Sequence, residues 1–365
     1  MIRIALLGPA VSIHLQRWAH ALVERGHEVC VLSQHPCERR LLPANATLFM
    51  LPHRGPVGFF TNAWRVRKLL MRWRPDILNA HYASGYGTTA ALCGVRPALL
   101  SVWGSDVYEF PYEGALKGWL LRSNLRRATA IASTSHAMAS QVRCLVPSID
   151  DISVTPFGID TTRFAPNAAK RNPALITLGI VKSLAPKYGI DLLLRAFAGL
   201  QHDSRVRALP QACRLLIVGD GPQRAWLEAL AIELGIAEQT SFAGAVPHRE
   251  VPDWLNRFDI YAAPSRSESF GVAVIEASAC GLPVVVSDAG GLPEVVRDGE
   301  TGLVVPLNDV PALQAALTRL LLDAALRDRL GAKGREHVVR KYEWEHCVDR
   351  MEAVYVRTIA KAPHR

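Results

Sequence analysis

The chain has 365 residues, enough for two domains or one large one, and 49% of them are hydrophobic, which supports a sizeable core and excludes a disordered chain. No apolar run is long enough to span a bilayer, and seven cysteines without a C-x-x-C pair exclude a disulfide scaffold or a zinc site of that kind, so a reducing cytoplasm is the expected home. The formal charge of +9 is uneven: residues 1–165 hold 18 Lys/Arg against 10 Asp/Glu, and the remainder 24 against 23, so the first half suits an acidic partner such as nucleic acid, anionic lipid or a phosphorylated substrate.

Ile2–Leu7 is nearly all apolar and predicts a central parallel strand rather than a signal peptide. Gly8-Pro9-Ala10 then turns into a helix from about Ser12 to Arg25, ended by Gly26, and Glu28–Ser33 is the next strand. This opening predicts a doubly wound α/β domain. The G-x-G-x-x-G fingerprint is absent after the first strand, which counts against a nicotinamide or flavin enzyme. His14 sits at the start of the helix and, alone, reads as an ordinary helix residue.

In Phe59–Arg74 the cations Arg65, Arg67, Lys68, Arg72 and Arg74 alternate with Trp64, Val66, Leu69, Leu70, Met71 and Trp73. On one helix this makes an apolar face beside a basic one. Two readings stand: a helix lying on an anionic membrane surface, or a packed helix with a solvated basic edge. Asp76–Ala80 is a strand leading to His81, Ala98–Val102 a strand leading to Trp103 and Asp106, and Ile131–Ser133 a strand leading to His136. Open α/β sheets bind ligands beyond such strand ends. Singly, Asp106 reads as a helix cap, and His81 and His136 as polar loop residues. Ile152–Thr155 and Pro156–Phe164 close the first half, and the proline-bearing stretch Ala165–Pro173 reads as a linker.

The second half opens with the strand Ala174–Gly179, a loop carrying Lys182 and Lys187, and an amphipathic helix Leu192–Leu200. A strand Arg214–Val218 ends at Gly219; a helix Arg224–Gly235 and a strand Thr240–Ala243 lead to Val246. Glu250–Arg257 reads as helical and Ile260–Ala263 as the strand that delivers Pro264–Val286. That stretch holds Glu268 and Glu276. Ser269-Phe270-Gly271-Val272 reads as the first turn of a helix running to about Cys280, before a buried strand Val284–Val286. A helix start offers unpaired N–H groups and a positive dipole end, suited to an anion or to sugar hydroxyls. By spacing alone the two glutamates read as a helix-start acid and a solvated one. Glycine-rich turns follow at 288–294 and 298–302, with a helix from about Pro311 and a last helix Tyr342–Ile359.

The run around Glu268 and Glu276 resembles the glutamate-x7-glutamate signature of retaining glycosyltransferases of the GT-B fold, glycosyltransferase family 4 or group 1. The resemblance is strong over 174–305 and looser over 1–160. It implies two Rossmann-like doubly wound domains facing a cleft, 1–165 for the acceptor and 174–340 for the nucleotide sugar, with 341–365 packing back on the first. It implies that Lys182 and Lys187 meet the donor diphosphate, where the family usually has an arginine and then a lysine. A lysine is a point charge where arginine is a fork. It implies further that the amides of Phe270, Gly271 and Val272 add fixed dipoles and that Ser269 belongs to the same turn. Glu268 would hold donor-sugar hydroxyls, Glu276 the ribose, and Gly219 and Val246 would lie on the donor side. Gly8 would approach the donor diphosphate and the reaction centre and, with His14, His81 and His136, would line the acceptor side, where Asp106 would be a catalytic residue. Trp103 stands where the family commonly has a histidine.

The activity so implied is hexose transfer, with retention and without a metal or other cofactor, from a UDP- or GDP-sugar to a glycan or lipid-linked acceptor of cell-surface polysaccharide or lipopolysaccharide. The expected location is the cytoplasm, with a possible peripheral seat on the membrane through 59–74. A sugar-nucleotide epimerase would need an acid/base set across the cleft, and a non-catalytic sugar-nucleotide-binding protein would keep only the donor half. Nucleic acid is not an expected partner, because no aromatic-basic stacking motif occurs beyond 59–74.

Overall fold

The computed structural model describes residues 1–361, which form two compact units: Met1–Phe157 with the chain from Glu345 onward, and Gly158–Trp344. The first is built on seven parallel strands, β1 Arg3–Leu7, β2 Glu28–Ser33, β3 Thr47–Met50, β4 Ile77–His81, β5 Ala98–Val102, β6 Ala130–Ser133 and β7 Ile152–Val154, in the order β3-β2-β1-β4-β5-β6-β7. Strands covered on both faces need continuous apolar runs. Accordingly Ile4 to Leu7 of β1 are fully buried, and Leu78, Ala80, Leu100 and Val102 carry the core outward through β4 and β5. The C-terminal helix Trp344–Ala360 closes this unit. Cys347, Val348, Met351 and Tyr355 are buried, and the Tyr355 hydroxyl accepts from Asn79 of β4 at 2.9 Å. Arg25, just past the helix Ile13–Glu24, meets Glu345, Asp349 and Glu352 of that helix at 2.5–2.6 Å.

The second unit has six parallel strands, β8 Leu175–Val181, β9 Ala212–Val218, β10 Thr240–Gly244, β11 Ile260–Ala263, β12 Val284–Ser287 and β13 Leu303–Val305, in the order β10-β9-β8-β11-β12-β13. In each sheet the chain winds to one side of its first strand and then crosses to the other. The reversal lies between β1 and β4 in the first and between β8 and β11 in the second. At such a point the loops leaving two adjacent strands diverge to opposite faces and open a crevice. The residues leaving β1 and β4 include Gly8 and His81; those leaving β8 and β11 lead to Lys182 and Glu268.

The elements differ from the sequence reading in four places. The stretch 59–74 is two helices, Gly55–Thr61 and Ala63–Trp73, because Asn62 is buried and its side-chain amide donates to the His53 carbonyl at 2.7 Å and to Gln34 at 3.3 Å. β3 has no counterpart in the sequence reading: it is a short edge strand whose Leu48 and Phe49 are only partly buried. The helix after Glu268 begins at Val272: Gly271 has φ +105, so Ser269, Phe270 and Gly271 precede the helix and are not its first turn. The helix expected from about Pro311 is two, Val310–Leu322 and Ala324–Tyr342, parted at Asp323, whose side chain accepts from the backbone N–H of Leu326, while the last helix, expected at Tyr342–Ile359, is Trp344–Ala360.

Candidate active site

In the second unit the loop after β8 and the loop after β11 are joined. The Lys187 carbonyl accepts from the backbone of Arg266 at 2.7 Å and of Ser267 at 3.2 Å. Arg266 grips Asp191 through both guanidinium arms, at 2.7 and 2.6 Å, and the Pro186 carbonyl at 2.9 Å. These bonds set Lys182 Nζ 2.6 Å from Glu268 Oε2, with side chains 14% and 11% exposed. The ammonium also lies over the Tyr188 ring, 4.5 Å from its centre, and Lys187 lies over the same ring at 5.4 Å. One aromatic ring therefore serves both lysines. A cation over a phenol face gains about 0.5–2 kcal/mol, more as water is excluded.

Glu276 is on the helix Val272–Ala279, 5% exposed, and not solvated. Its Oε1 lies 2.8 Å from His248 Nε2. Tyr261 of β11 is fully buried and donates to the Val181 carbonyl at 3.3 Å. Burial pushes its phenol pKa well up, and the charges of Glu276 and then Glu268 push it further, so both carboxylates are felt at one buried ring. Phe270 is buried edge-on against Tyr342, with ring centres 5.5 Å apart. Val246 is half-buried on the turn after β10, two residues before His248.

Two expected site residues change place. Gly219 is a spacer: its amide donates to the Gly244 carbonyl at 2.8 Å, and a Cβ on it would stand 1.8 Å from the Lys182 carbonyl oxygen. Its contact is with the Lys182 backbone, and the first cation is placed by it. Asp106 is a clamp rather than a reacting carboxylate. It is 1% exposed and accepts from the backbone N–H of Ala83 at 2.7 Å, Gly104 at 2.8 Å and Trp103 at 3.1 Å. Burial raises its pKa, and those three amides pull against that rise without reversing it. It thus ties the loop after β4 to the loop after β5.

Those loops carry an aromatic group. His14 stacks on Phe157 with ring centres 4.1 Å apart, and Trp103 has His81, Tyr82 and Phe157 around it at 4.9, 4.9 and 5.6 Å. His81 is fully buried, and neither ring nitrogen has a hydrogen-bond partner among the described residues. Burial, and then the charge of His14, lower its pKa to about 3, so it is neutral at any physiological pH. A Cβ on Gly8 would stand 3.2 Å from the His81 Cβ, so that glycine lets β1 and β4 close up beneath it. His136 is exposed, the first residue of the helix His136–Leu145, one residue from the Ser135 cap. Sequence reasoning missed Tyr188, Asp191, Arg266, His248 and Arg163. Only the short Lys187-Tyr188 pair carried a local signal; the others meet partners 75 or more residues away, save His248, which lies 28 from Glu276.

The Arg266–Asp191 grip should be pH-sensitive. Burial raises the Asp191 pKa, and the guanidinium more than reverses this, so the carboxyl ends below its usual range. A depressed carboxylate contributes stability above its unfolded pKa and loses it as pH falls through the folded one. Arg266→Leu is expected to cost about 1–2 kcal/mol in urea unfolding at pH 7. The gap from wild type should close below about pH 4; a gap that persists there would show that the pair is not its source.

Two parallel, doubly wound α/β units are the architecture of GT-B glycosyltransferases. Residues 161–337 match the family described as Glycosyl transferases group 1, and 3–135 that described as Glycosyl transferase 4-like. The chain is 32% identical over 284 residues to the GDP-mannose-dependent alpha-(1-6)-phosphatidylinositol monomannoside mannosyltransferase of Mycolicibacterium smegmatis, covering 71% of this chain and 69% of that one. Its fold is similar to sucrose-phosphate synthase from Thermosynechococcus elongatus, at TM-score 0.83 and 22% identity over 99% of this chain and all of that one. It is also similar to Anabaena HepE in complex with UDP and glucose, at TM-score 0.80 and 17% identity over 98% and 100%. The chain belongs to the group 1 glycosyltransferases.

Proposed function

We propose that the protein is a retaining hexosyltransferase that takes its sugar from a nucleotide diphospho-sugar without a metal ion. The observation that carries this reading is the Lys182–Glu268 pair on the Tyr188 ring at the reversal between β8 and β11. Leaving diphosphate is the hard part of the chemistry, and fixed cations in a water-poor site offset its charge as the C1–O bond breaks. Lys182 and Lys187 take that part, with the first amides of the helix Val272–Ala279 beyond Gly271. Glu268 accepts from hydroxyls of the donor sugar and Glu276 from the ribose. The acceptor oxygen attacks C1 on the face the diphosphate leaves, and its proton passes to the departing phosphate. The carboxylates do not flank the bond as glycosidase carboxylates do. UDP or GDP fits as nucleotide: HepE was solved with UDP, and the mycobacterial relative is GDP-mannose-dependent. The acceptor is a glycan or a lipid-linked sugar, received around His14, His81 and Trp103. The epimerase and pure binding readings lack any supporting contact of their own.

The test is a panel of UDP- and GDP-sugars, read as protection from thermal unfolding and as slow donor hydrolysis, with and without EDTA. One nucleotide should stabilise selectively, and EDTA should change nothing. Equal response to all, or to none, would defeat the donor assignment.

A second reading concerns the helix Ala63–Trp73. Its packed face is Ala63, Val66 and Leu70, yet Trp64 and Met71 stand 71% and 64% exposed beside Arg67, Lys68 and Arg72. No acid occurs between Arg54 and Arg74. We propose that this face rests on anionic lipid, which would place the enzyme at the cytoplasmic surface of a membrane. Among the described residues no helix is long and apolar enough to cross one. The protein should co-sediment with phosphatidylglycerol vesicles and lose this in Trp64→Ser/Arg72→Ser; an unchanged pellet fraction would dismiss the idea.

A further inference from the structure

Glu276 is held from behind by a line of side chains that begins far away in sequence. Asp160 Oδ1 accepts from the backbone N–H of Thr162 and of Arg163, both at 3.0 Å, which fixes the turn carrying Arg163. Arg163 Nη2 donates to the His248 carbonyl at 2.6 Å and lies 3.4 Å from His248 Nδ1. The guanidinium sits over the Phe164 ring at 5.3 Å, and that buried ring lies 5.7 Å from the imidazole. His248 Nε2 then meets Glu276 Oε1 at 2.8 Å.

The protons on this line can be assigned. A guanidinium has donors only, so the nitrogen facing it must present a lone pair. Nδ1 of His248 is therefore bare, the ring proton is on Nε2, and Nε2 donates to Glu276. Arg249 and Glu250, the next residues on the same turn, are 3.6 Å from each other. The imidazole is thus committed on both edges, and one of the two oxygens of Glu276 is committed with it.

We propose that His248 is a positioning residue for the nucleotide: by fixing Oε1 of Glu276 it orients Oε2 towards the two vicinal ribose hydroxyls, with Arg163 setting the tautomer that makes this possible. A carboxylate free to turn about its last bond must be ordered when the ribose arrives; one already held by an imidazole has lost that freedom beforehand. The segment 158–164 thereby acquires a physical reason for its composition, since Asp160 and Arg163 act on the ribose site through His248. This inference rests on reading Glu276 as the ribose acceptor.

The experiment measures the dissociation constants of UDP, GDP and ADP, and of their 2′-deoxy forms, by calorimetry on the full chain. Wild type is compared with His248→Ala and His248→Gln. His248→Ala should bind the preferred nucleotide roughly tenfold more weakly, the size expected from one hydrogen bond to a charged group. The penalty for removing the 2′-hydroxyl should shrink in His248→Ala, and His248→Gln, whose amide donates from nearly the same position, should restore both. In donor hydrolysis the loss should appear in KM for the donor rather than in kcat. A merely structural role would not single out the 2′-hydroxyl. Unchanged or tighter binding by His248→Ala, or an undiminished 2′-deoxy penalty, overturns the proposal alone. Failure of wild type to bind any of the three nucleotides overturns the donor reading, and this proposal with it.

Discussion

Glu268→Ala and Lys182→Ala should each reduce sugar transfer by at least about a hundredfold, the scale of removing one preorganised charge contact from a reacting centre. The two groups are each other's partner at 2.6 Å, both nearly buried. On the proposed reading a nucleotide sugar re-pairs them, phosphate with the ammonium and a sugar hydroxyl with the carboxylate, while the Tyr188 ring, 4.5 Å from the ammonium, holds it in place. Stability distinguishes this from simple loss of fold. Either single change strands one charge in a water-poor place and should cost about 2–4 kcal/mol, while the double change Lys182→Ala/Glu268→Ala strands none and should cost clearly less than the sum of the two. The double variant should nevertheless remain inactive. Additive stability losses, or transfer surviving in Glu268→Ala, would show that the pair is an ordinary surface contact.

Most of the parallel strands were legible because they are short buried apolar runs, the half-exposed edge strands β3 and β10 being exceptions. β5 and β11 occupy the residues expected, and β2 likewise. A run such as Val284–Val286 gains about 2 kcal/mol per side chain on burial, which dominates any local preference. Elements held by distant partners were not legible. The last helix was expected to start at Tyr342, but Glu343, which has no Gly or Pro beside it, is extended because Ile159 pairs with it, donating to the Tyr342 carbonyl and accepting from Trp344, while Thr161 bonds its carboxylate, so the helix starts at Trp344. The same holds at the site. The sequence marks Glu268 and Glu276 as acids near a helix start, but whether each is solvated depends on Lys182 and His248, 86 and 28 residues away. Asp106 followed the reverse course. A polar residue just after a strand points to ligand contact, and three backbone amides had already occupied it.

Gly219→Ala and Gly290→Ala should be among the most damaging alanine substitutions at the loop glycines, and the cause is crowding rather than backbone freedom alone. A Cβ at Gly219 would lie 1.8 Å from the Lys182 carbonyl oxygen, and one at Gly290 would lie 2.0 Å from the Glu268 carbonyl oxygen. Both obstacles are backbone, which cannot swing aside as a side-chain tip does. To admit the methyl group, the chain bearing the first cation or the first carboxylate must move, and with it the 2.6 Å contact between them. Gly299 and Gly235 separate the two causes: each has φ +70, and a Cβ there meets nothing within 4 Å. Alanine at those controls should cost about 1 kcal/mol, the strain of a left-handed residue. At Gly219 and Gly290 the cost should be about 3 kcal/mol or more in urea unfolding. At a temperature where all four variants remain folded by circular dichroism, donor hydrolysis should fall at least tenfold in the first two and stay near wild type in the controls. Equal losses of stability and activity in all four would assign the effect to backbone strain and leave the placement of Lys182 and Glu268 independent of these two turns.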